Sequence, residues 1–287
     1  MNNVPVLMFH KTYSHYLKVN CQITGKNNKI IFLGDPSCSK LGKINNVDFY
    51  DFNDFVDEEK IDYYKSYFKS YNTKGDLVWI WYYRLFVILE FLNKAKIESI
   101  FHIDSDNVLL GDINQINYKS ENSYFILNDW DKYHMTGSIH SGLTSKYFYE
   151  LFINLYEDVF INETKLPLIQ HKIDFHNKNG GGGICDMTFY YLMEKLKLLE
   201  VENLIFPKQI GEKKVVFMNN YGNGEGYYSR NQYEMRGKYI KIYKNRKKGK
   251  NYIYDQHHKE YLELMNIHFQ GKAKRQMNTY LTYSAVY

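Results

Sequence analysis

Proline is scarce in this chain, four in 287 residues, and cysteine scarcer still at three. So little proline excludes long proline-rich linkers. Cys21, Cys38 and Cys185 lie too far apart for a metal knuckle or a paired disulfide framework, which fits a reducing compartment. Long apolar runs are absent as well. No stretch reaches the ~20 residues of a membrane-spanning helix, and Met1-Asn2-Asn3-Val4-Pro5 lacks the charged, then apolar, character of a leader. These absences predict a soluble cytoplasmic protein without a transmembrane segment.

Excess positive charge is missing from most of the chain too. The net charge is +5, but residues 236–250 hold eight Lys/Arg and no acid, and the rest carries 29 basic against 32 acidic residues. That distribution argues against nucleic acid as a partner. The basic tip Arg246-Lys247-Lys248-Gly249-Lys250 is either a solvated turn or a contact for an anionic acceptor or a membrane surface.

What is present is ample apolar material, 44% of residues, with 29 Tyr and 18 Phe. That is enough for one large α/β domain or two small ones. Tyrosine in this number suits a wet carbohydrate site, and equally reflects codon bias. Apolar runs at 4–9 and 29–34 predict buried strands around a short helix at 16–24, a β-α-β opening. A third strand is expected at 47–52, an amphipathic helix at 54–68 and a more apolar one at 77–95. Strands follow at 98–103, 124–128, 138–144 and 215–219, and helices at 147–160 and 187–199. Residues 238–243 and 252–254 frame a hairpin, and 266–269 form a last strand.

The strand at 98–103 runs directly into Asp104-Ser105-Asp106. Open α/β sheets bind ligands beyond the carboxyl ends of their strands, and two carboxylates one residue apart can share a divalent cation and a ribose or metal-bound water. A D-x-D is weak evidence alone, since a solvated turn has the same form, and the chain holds a second at Asp129-Trp130-Asp131.

Its surroundings are more specific. Tyr83-Arg84-Leu85-Phe86, Glu90-Phe91-Leu92 and the run from Phe101 through the D-S-D to Leu110 resemble GT-A glycosyltransferases of polysaccharide-synthesis loci and large viruses. Three later segments continue the resemblance in order: Ile139-His140-Ser141-Gly142-Leu143-Thr144-Ser145, Gly181-Gly182-Gly183-Ile184-Cys185-Asp186-Met187-Thr188, and His268-Phe269-Gln270-Gly271 with Lys274. The last is also similar to the H-x-x-G-x-x-K signature of the glycogenin and galactosyltransferase type, here without the Pro-Trp that often follows it.

The resemblance implies a single GT-A domain over 1–287, a mixed sheet flanked by helices, with a nucleotide-binding half at about 1–128 and an acceptor half at about 129–287. It implies a nucleotide-sugar donor, a uridine one being favoured, a glycan or glycoconjugate acceptor, and Mn²⁺ or Mg²⁺ on Asp104, Asp106 and His268. Lys274 would contact the diphosphate, with Gly271 letting backbone approach it. Ser105, His140 and Ser141 would lie by the donor, and Phe9, His10 and Asp35 where the base and ribose are held. Asp186, at a helix start, would be the base for the acceptor hydroxyl if configuration inverts, or a donor-sugar contact if it is retained.

Two residue patterns are unusual without any resemblance. Arg84 sits in a strongly apolar helix, so a buried ion pair or a diphosphate contact is expected. Four consecutive glycines, 180–183, permit backbone angles other residues resist, either for a close-passing substrate or as a flexible loop. Competing functional classes are a nucleotidyltransferase, whose usual Gly-Ser would precede the carboxylates whereas Gly137-Ser138 follows them, and a non-catalytic sugar- or nucleotide-binding protein.

Overall fold

The computed structural model describes residues 3–119, 122–128, 133, 135–222, 231–245, 247–274 and 277. The second D-x-D and Arg246 lie outside them. The strands are β1 (Val6–His10), β2 (Ile30–Gly34), β3 (Val47–Asp51), β4 (Ser99–Ile103), β5 (Asn107–Leu109), β6 (Ser123–Asn128), β7 (Thr136–Ser145) and β8 (Val201–Asn203), then β9 (Lys208–Ile210), β10 (Lys213–Val216), β11 (Met235–Arg236), β12 (Tyr239–Ile240), β13 (Ile242–Asn245), β14 (Lys250–Asp255), β15 (Glu260–Leu264) and β16 (Asn266–His268). The helices are α1 (His15–Thr24), α2 (Glu58–Tyr67), α3 (Trp79–Ala95), α4 (Lys146–Tyr156), α5 (Pro167–Asn179) and α6 (Asp186–Lys195).

Seven strands form the main sheet in the order β3-β2-β1-β4-β7-β6-β8. β1 pairs in parallel with β2 and β4, whereas β7 runs antiparallel to both β4 and β6. The expected mixed sheet flanked by helices is therefore what this chain forms. β1 shows why its strands lack polar alternation: Leu7 and Phe9 pack on one face with α3, α4 and α6, and Val6 and Met8 on the other with α1. A strand covered on both faces is apolar at successive positions. α3 is apolar nearly all round for the same reason, burying Leu85, Phe86, Val87, Ile88 and Leu89 in succession.

A second sheet, β13-β14-β15-β10-β9, is built from the C-terminal part. Its inner side chains, among them Ile253 and Leu262, share a core with Val19 and Ile23 of α1. Beyond it the chain returns to the first half: β16 pairs antiparallel with β5, setting His268 opposite Asn107. No helix among the described residues is long and apolar enough to cross a membrane.

Several elements depart from expectation. The helix expected over 54–68 begins at Glu58, capped by Asp57, whose carboxylate accepts from the Lys60 amide at 3.1 Å; a 3₁₀ turn, Phe52–Phe55, precedes it. The apolar run at 238–243 divides at Lys241, because Tyr239–Ile240 pairs back onto Met235–Arg236 while Ile242–Asn245 pairs with Lys250–Asp255. α5 was not expected at all, and its buried side chains are Ile169, Lys172 and Ile173.

Candidate metal and diphosphate site

The site forms where β4 ends. Asp104 closes β4 and the Asn107 amide donates back to its carbonyl at 2.9 Å, a tight turn that presents both aspartates before β5 begins. Asn20, buried in α1, fixes that turn from behind: its Nδ2 donates to the Ser105 and Asn107 carbonyls, each at 2.9 Å. The β5–β16 pairing supplies the third member. His268 Nε2 stands 3.6 Å from Asp106 Oδ1, and one ligand atom from each of Asp104, Asp106 and His268 falls within 4.8 Å of the others.

His268 is prepared for that role. Its Nδ1 donates to the Asn219 carbonyl at 2.5 Å, leaving the Nε2 lone pair toward the aspartates; a backbone acceptor on the far nitrogen is the usual way a metal-binding imidazole is oriented. The His140 ring stacks on it at 4.0 Å and 18°. Burial holds His140 well below the ordinary histidine range, so a neutral ring supports the ligand ring. The donor set, two carboxylates and one imidazole, fits Mn²⁺ or Mg²⁺.

A buried amide network lies under the triad. Asn266 Nδ2 reaches Asn107 Oδ1 at 2.7 Å, Met218 O at 3.1 Å and Ser141 Oγ at 3.2 Å, and its Oδ1 accepts from the Met218 amide at 2.5 Å. Asn107 Nδ2 in turn donates to the His140 carbonyl and to Ser141 Oγ. β5, β7 and β16 are thus tied together by side chains without exposed surface: Asn107, Ser141 and Asn266 are each fully buried.

Two cations balance the acids. Lys274 Nζ lies 2.9 Å from Asp106 Oδ2. Arg84, carried inward by α3, donates to Asp104 Oδ1 at 2.9 Å and to Asp186 Oδ2 at 2.8 Å, so the buried ion pair expected of an arginine in an apolar helix is present. Burial would raise the Asp104 carboxyl, but Arg84 and the surrounding imidazoles outweigh it and hold it below its ordinary value. Asp186 goes the other way: it is 3% exposed, and burial raises it in spite of Arg84 and a Tyr190 hydroxyl at 3.0 Å. Asp186 is the first residue of α6, and the helix N-cap is Cys185.

The other expected residues are dispersed. Ser105 is buried under the Tyr16 hydroxyl at 3.1 Å. His10 closes β1, its ring 5.9 Å from that of Tyr16, and burial and then Lys274 lower it. Asp35 caps the following 3₁₀ turn by accepting from the Ser37 amide at 2.9 Å. Phe9 packs into the core against Phe52 at 5.3 Å, one position beyond the Met8–Ile103 pair of β1 and β4. Gly271 takes a φ of +59° in the turn before Lys274.

The glycine run has a structural cause that neither sequence alternative named. All four glycines have positive φ, and a Cβ on Gly183 would lie 2.2 Å from the Tyr71 carbonyl oxygen. The run passes hard against the 71–73 backbone, with Thr73 N donating to Gly182 O at 3.0 Å and Ile184 N to Tyr71 O at 2.9 Å. The sequence reading missed Asn20, Asn107, Asn219, Asn266 and Tyr190. The signal for two of them was local: Asn107 directly follows the D-S-D, and Asn266 is an amide inside an apolar strand.

No protein-family model matches the sequence, and no curated protein matches it. Among solved structures, the chain is similar to mouse xyloside xylosyltransferase 1 in its apo form, with a TM-score of 0.49 and 12% identity over 70% of this chain and 85% of that one. It is also similar to the apo form of glycosyltransferase GlyE of Streptococcus pneumoniae TIGR4, with a TM-score of 0.34 and 12% identity over 70% of this chain and 45% of that one. Neither match assigns a donor, an acceptor or a metal to this chain.

Proposed function

We propose that this chain is a metal-dependent glycosyltransferase with a single GT-A domain over 1–287, soluble and cytoplasmic, that moves a sugar from a nucleotide donor, a uridine one being favoured, to a hydroxyl of a glycan or glycoconjugate. The observation that carries this is the convergence of Asp104, Asp106 and His268, from segments far apart in the sequence, within 4.8 Å of one another beside Lys274. Two acids, an imidazole and a lysine at a strand's carboxyl end form a site for a divalent cation and a pyrophosphate together.

Asp104, Asp106 and His268 would hold Mn²⁺ or Mg²⁺, whose chemistry is to stabilise the negative charge that a departing nucleoside diphosphate acquires. Lys274, which lies 2.9 Å from Asp106, is the cation that would contact the diphosphate. Gly271 keeps that turn free of a side chain, and Ser105, His140 and Ser141 hold the floor beneath the donor. His10 and Asp35, at the ends of β1 and β2, line the path toward the base and ribose. Arg84 stays charged between Asp104 and Asp186 and sets the geometry of both. Asp186 would accept the acceptor's hydroxyl proton if configuration inverts, or contact the donor sugar if it is retained; burial has lifted its affinity for a proton in the direction a general base needs.

The test is a panel of nucleotide sugars measured by thermal shift with and without Mn²⁺, followed by turnover of the one that stabilises the fold. Asp106→Ala is expected to lose both the joint shift and turnover. A wild-type protein that no uridine or guanosine diphosphate sugar stabilises with Mn²⁺ present would refute the proposal.

A further inference from the structure

A groove of about 780 Å³ runs between α1 and the 3₁₀ segment Pro36–Lys43, apart from the site above. Lys18 and Lys26 lie on one side and Lys40 and Lys43 on the other, with Tyr13 and His15 at one end, and no carboxylate lines it. All four lysines are exposed, and among the described residues none forms an ion pair. Lys29, three positions past Lys26, shows the contrast: it is paired with Asp48 at 2.9 Å. Lys40 has instead settled 3.5 Å above the Tyr13 ring.

Like charges facing one another across a concave surface repel and concentrate positive potential there, and an anion that enters relieves the repulsion. We propose that this groove binds a linear anionic glycan, a chain carrying carboxylates at intervals. Three features select such a chain. The groove is a concave channel, whereas a lipid surface is flat. Its lysines are flexible point charges, each able to meet one of a series of anionic groups spaced along a chain. Between the lysines the lining offers the amides of Gln22 and Asn45, which suit sugar hydroxyls.

One end of the groove, at Tyr13, adjoins the turn that Asp35 caps. The Tyr13 amide donates to Ser37 Oγ at 2.9 Å, and Ser37 is the residue held by Asp35. A glycan seated here is an acceptor or product chain retained beside the reacting end. The choice of a glycan over other polyanions rests on the glycosyltransferase reading, whereas anion capture by the groove does not.

The experiment is a fluorescence-anisotropy titration of labelled polygalacturonate oligomers and of the same oligomers as methyl esters, which keep the sugars and remove the charge. Wild type is expected to bind the acid form, more weakly as salt rises, and to ignore the ester. The triple variant Lys18→Gln, Lys40→Gln, Lys43→Gln is expected to bind at least about tenfold more weakly, a loss of about 1.4 kcal/mol. The charge-matched variant Lys65→Gln, Lys178→Gln, Lys197→Gln should bind as wild type does. Equal weakening in both triple variants overturns the proposal, and so does tighter binding to phosphatidylcholine–phosphatidylserine vesicles or to single-stranded DNA than to polygalacturonate. The nucleotide-sugar thermal shift, measured on the same proteins, separates the two readings: the groove variant should retain it, and its absence from wild type alongside uronate binding would sink the transferase reading and leave the groove standing.

Discussion

Replacing Asn266 with alanine tests whether buried amides, more than the short β5–β16 pairing itself, hold these two distant segments together at the candidate metal site. The side chain is fully buried and makes four hydrogen bonds, three from Nδ2 and one to Oδ1. Alanine strands at least the Met218 amide and Asn107 Oδ1 in a place water does not reach. A buried group left without a partner costs about 1–3 kcal/mol, so two of them predict a loss of about 2–6 kcal/mol in urea unfolding with an unchanged slope. Aspartate does not rescue the change. It keeps an acceptor for Met218 but places a carboxylate beside Asn107 Oδ1, 2.7 Å away in the native protein, and Asn107 cannot turn its amide round because its Nδ2 is already given to His140 O and Ser141 Oγ.

His268 lies two residues along the same strand, so the alanine variant also loses part of its Mn²⁺-induced thermal shift. Alanine unfolding within about 0.5 kcal/mol of wild type, the range of an ordinary surface change, would refute the reasoning. So would an aspartate variant as stable as wild type, since donation by the amide would then be unnecessary.

Arg84→Met leaves Asp186, 3% exposed, and Asp104 facing each other without their shared cation; a loss of about 3–5 kcal/mol is expected, with part of it restored by adding Asp186→Asn, both read by chemical denaturation. Gly183→Ala sets a methyl 2.2 Å from the Tyr71 carbonyl oxygen at a φ of +127°; the 71–73 and 180–183 backbones must separate, which hydrogen exchange at the Thr73 and Ile184 amides will register as lost protection. Cys21 is fully buried, and burial pushes its thiol from 9.0 up to about 12. Between those values the unfolded chain gives up the proton and the folded one keeps it, so stability falls as pH rises through the window by about 1.4 kcal/mol per unit; Cys21→Ala should show a shallower alkaline decline in urea titrations at successive pH values.

How much of this was legible in the sequence follows from the range of the forces involved. β1, β2, α3 and β4 were readable because burial on several sides leaves an apolar run that no loop tolerates. α5 was not: a helix that buries Ile169, Lys172 and Ile173 leaves only a thin stripe among polar residues. β15 escaped although its inward Leu262 and Leu264 alternate with Tyr261 and Glu263 as in a half-buried strand, because only two of its five residues are buried. The site divides in the same way. The two aspartates were visible as carboxylates at a strand end and His268 only through the resemblance its segment carries, whereas the distance between them depends on β16 finding β5.

Arg84 marks the limit most clearly. An apolar helix cannot bury a guanidinium alone, so the sequence already required an anionic partner, a carboxylate or a diphosphate. Nothing local says which carboxylate, because Asp104 and Asp186 reach Arg84 from two other elements of the chain. Asn266 makes the same point without charge: an amide in an apolar strand needs partners, and they stand on β5, on β7 and at Met218. Local sequence therefore states the demand for a partner, and the fold supplies it. In this protein those unmet local demands lie together, around the residues proposed to hold the cation.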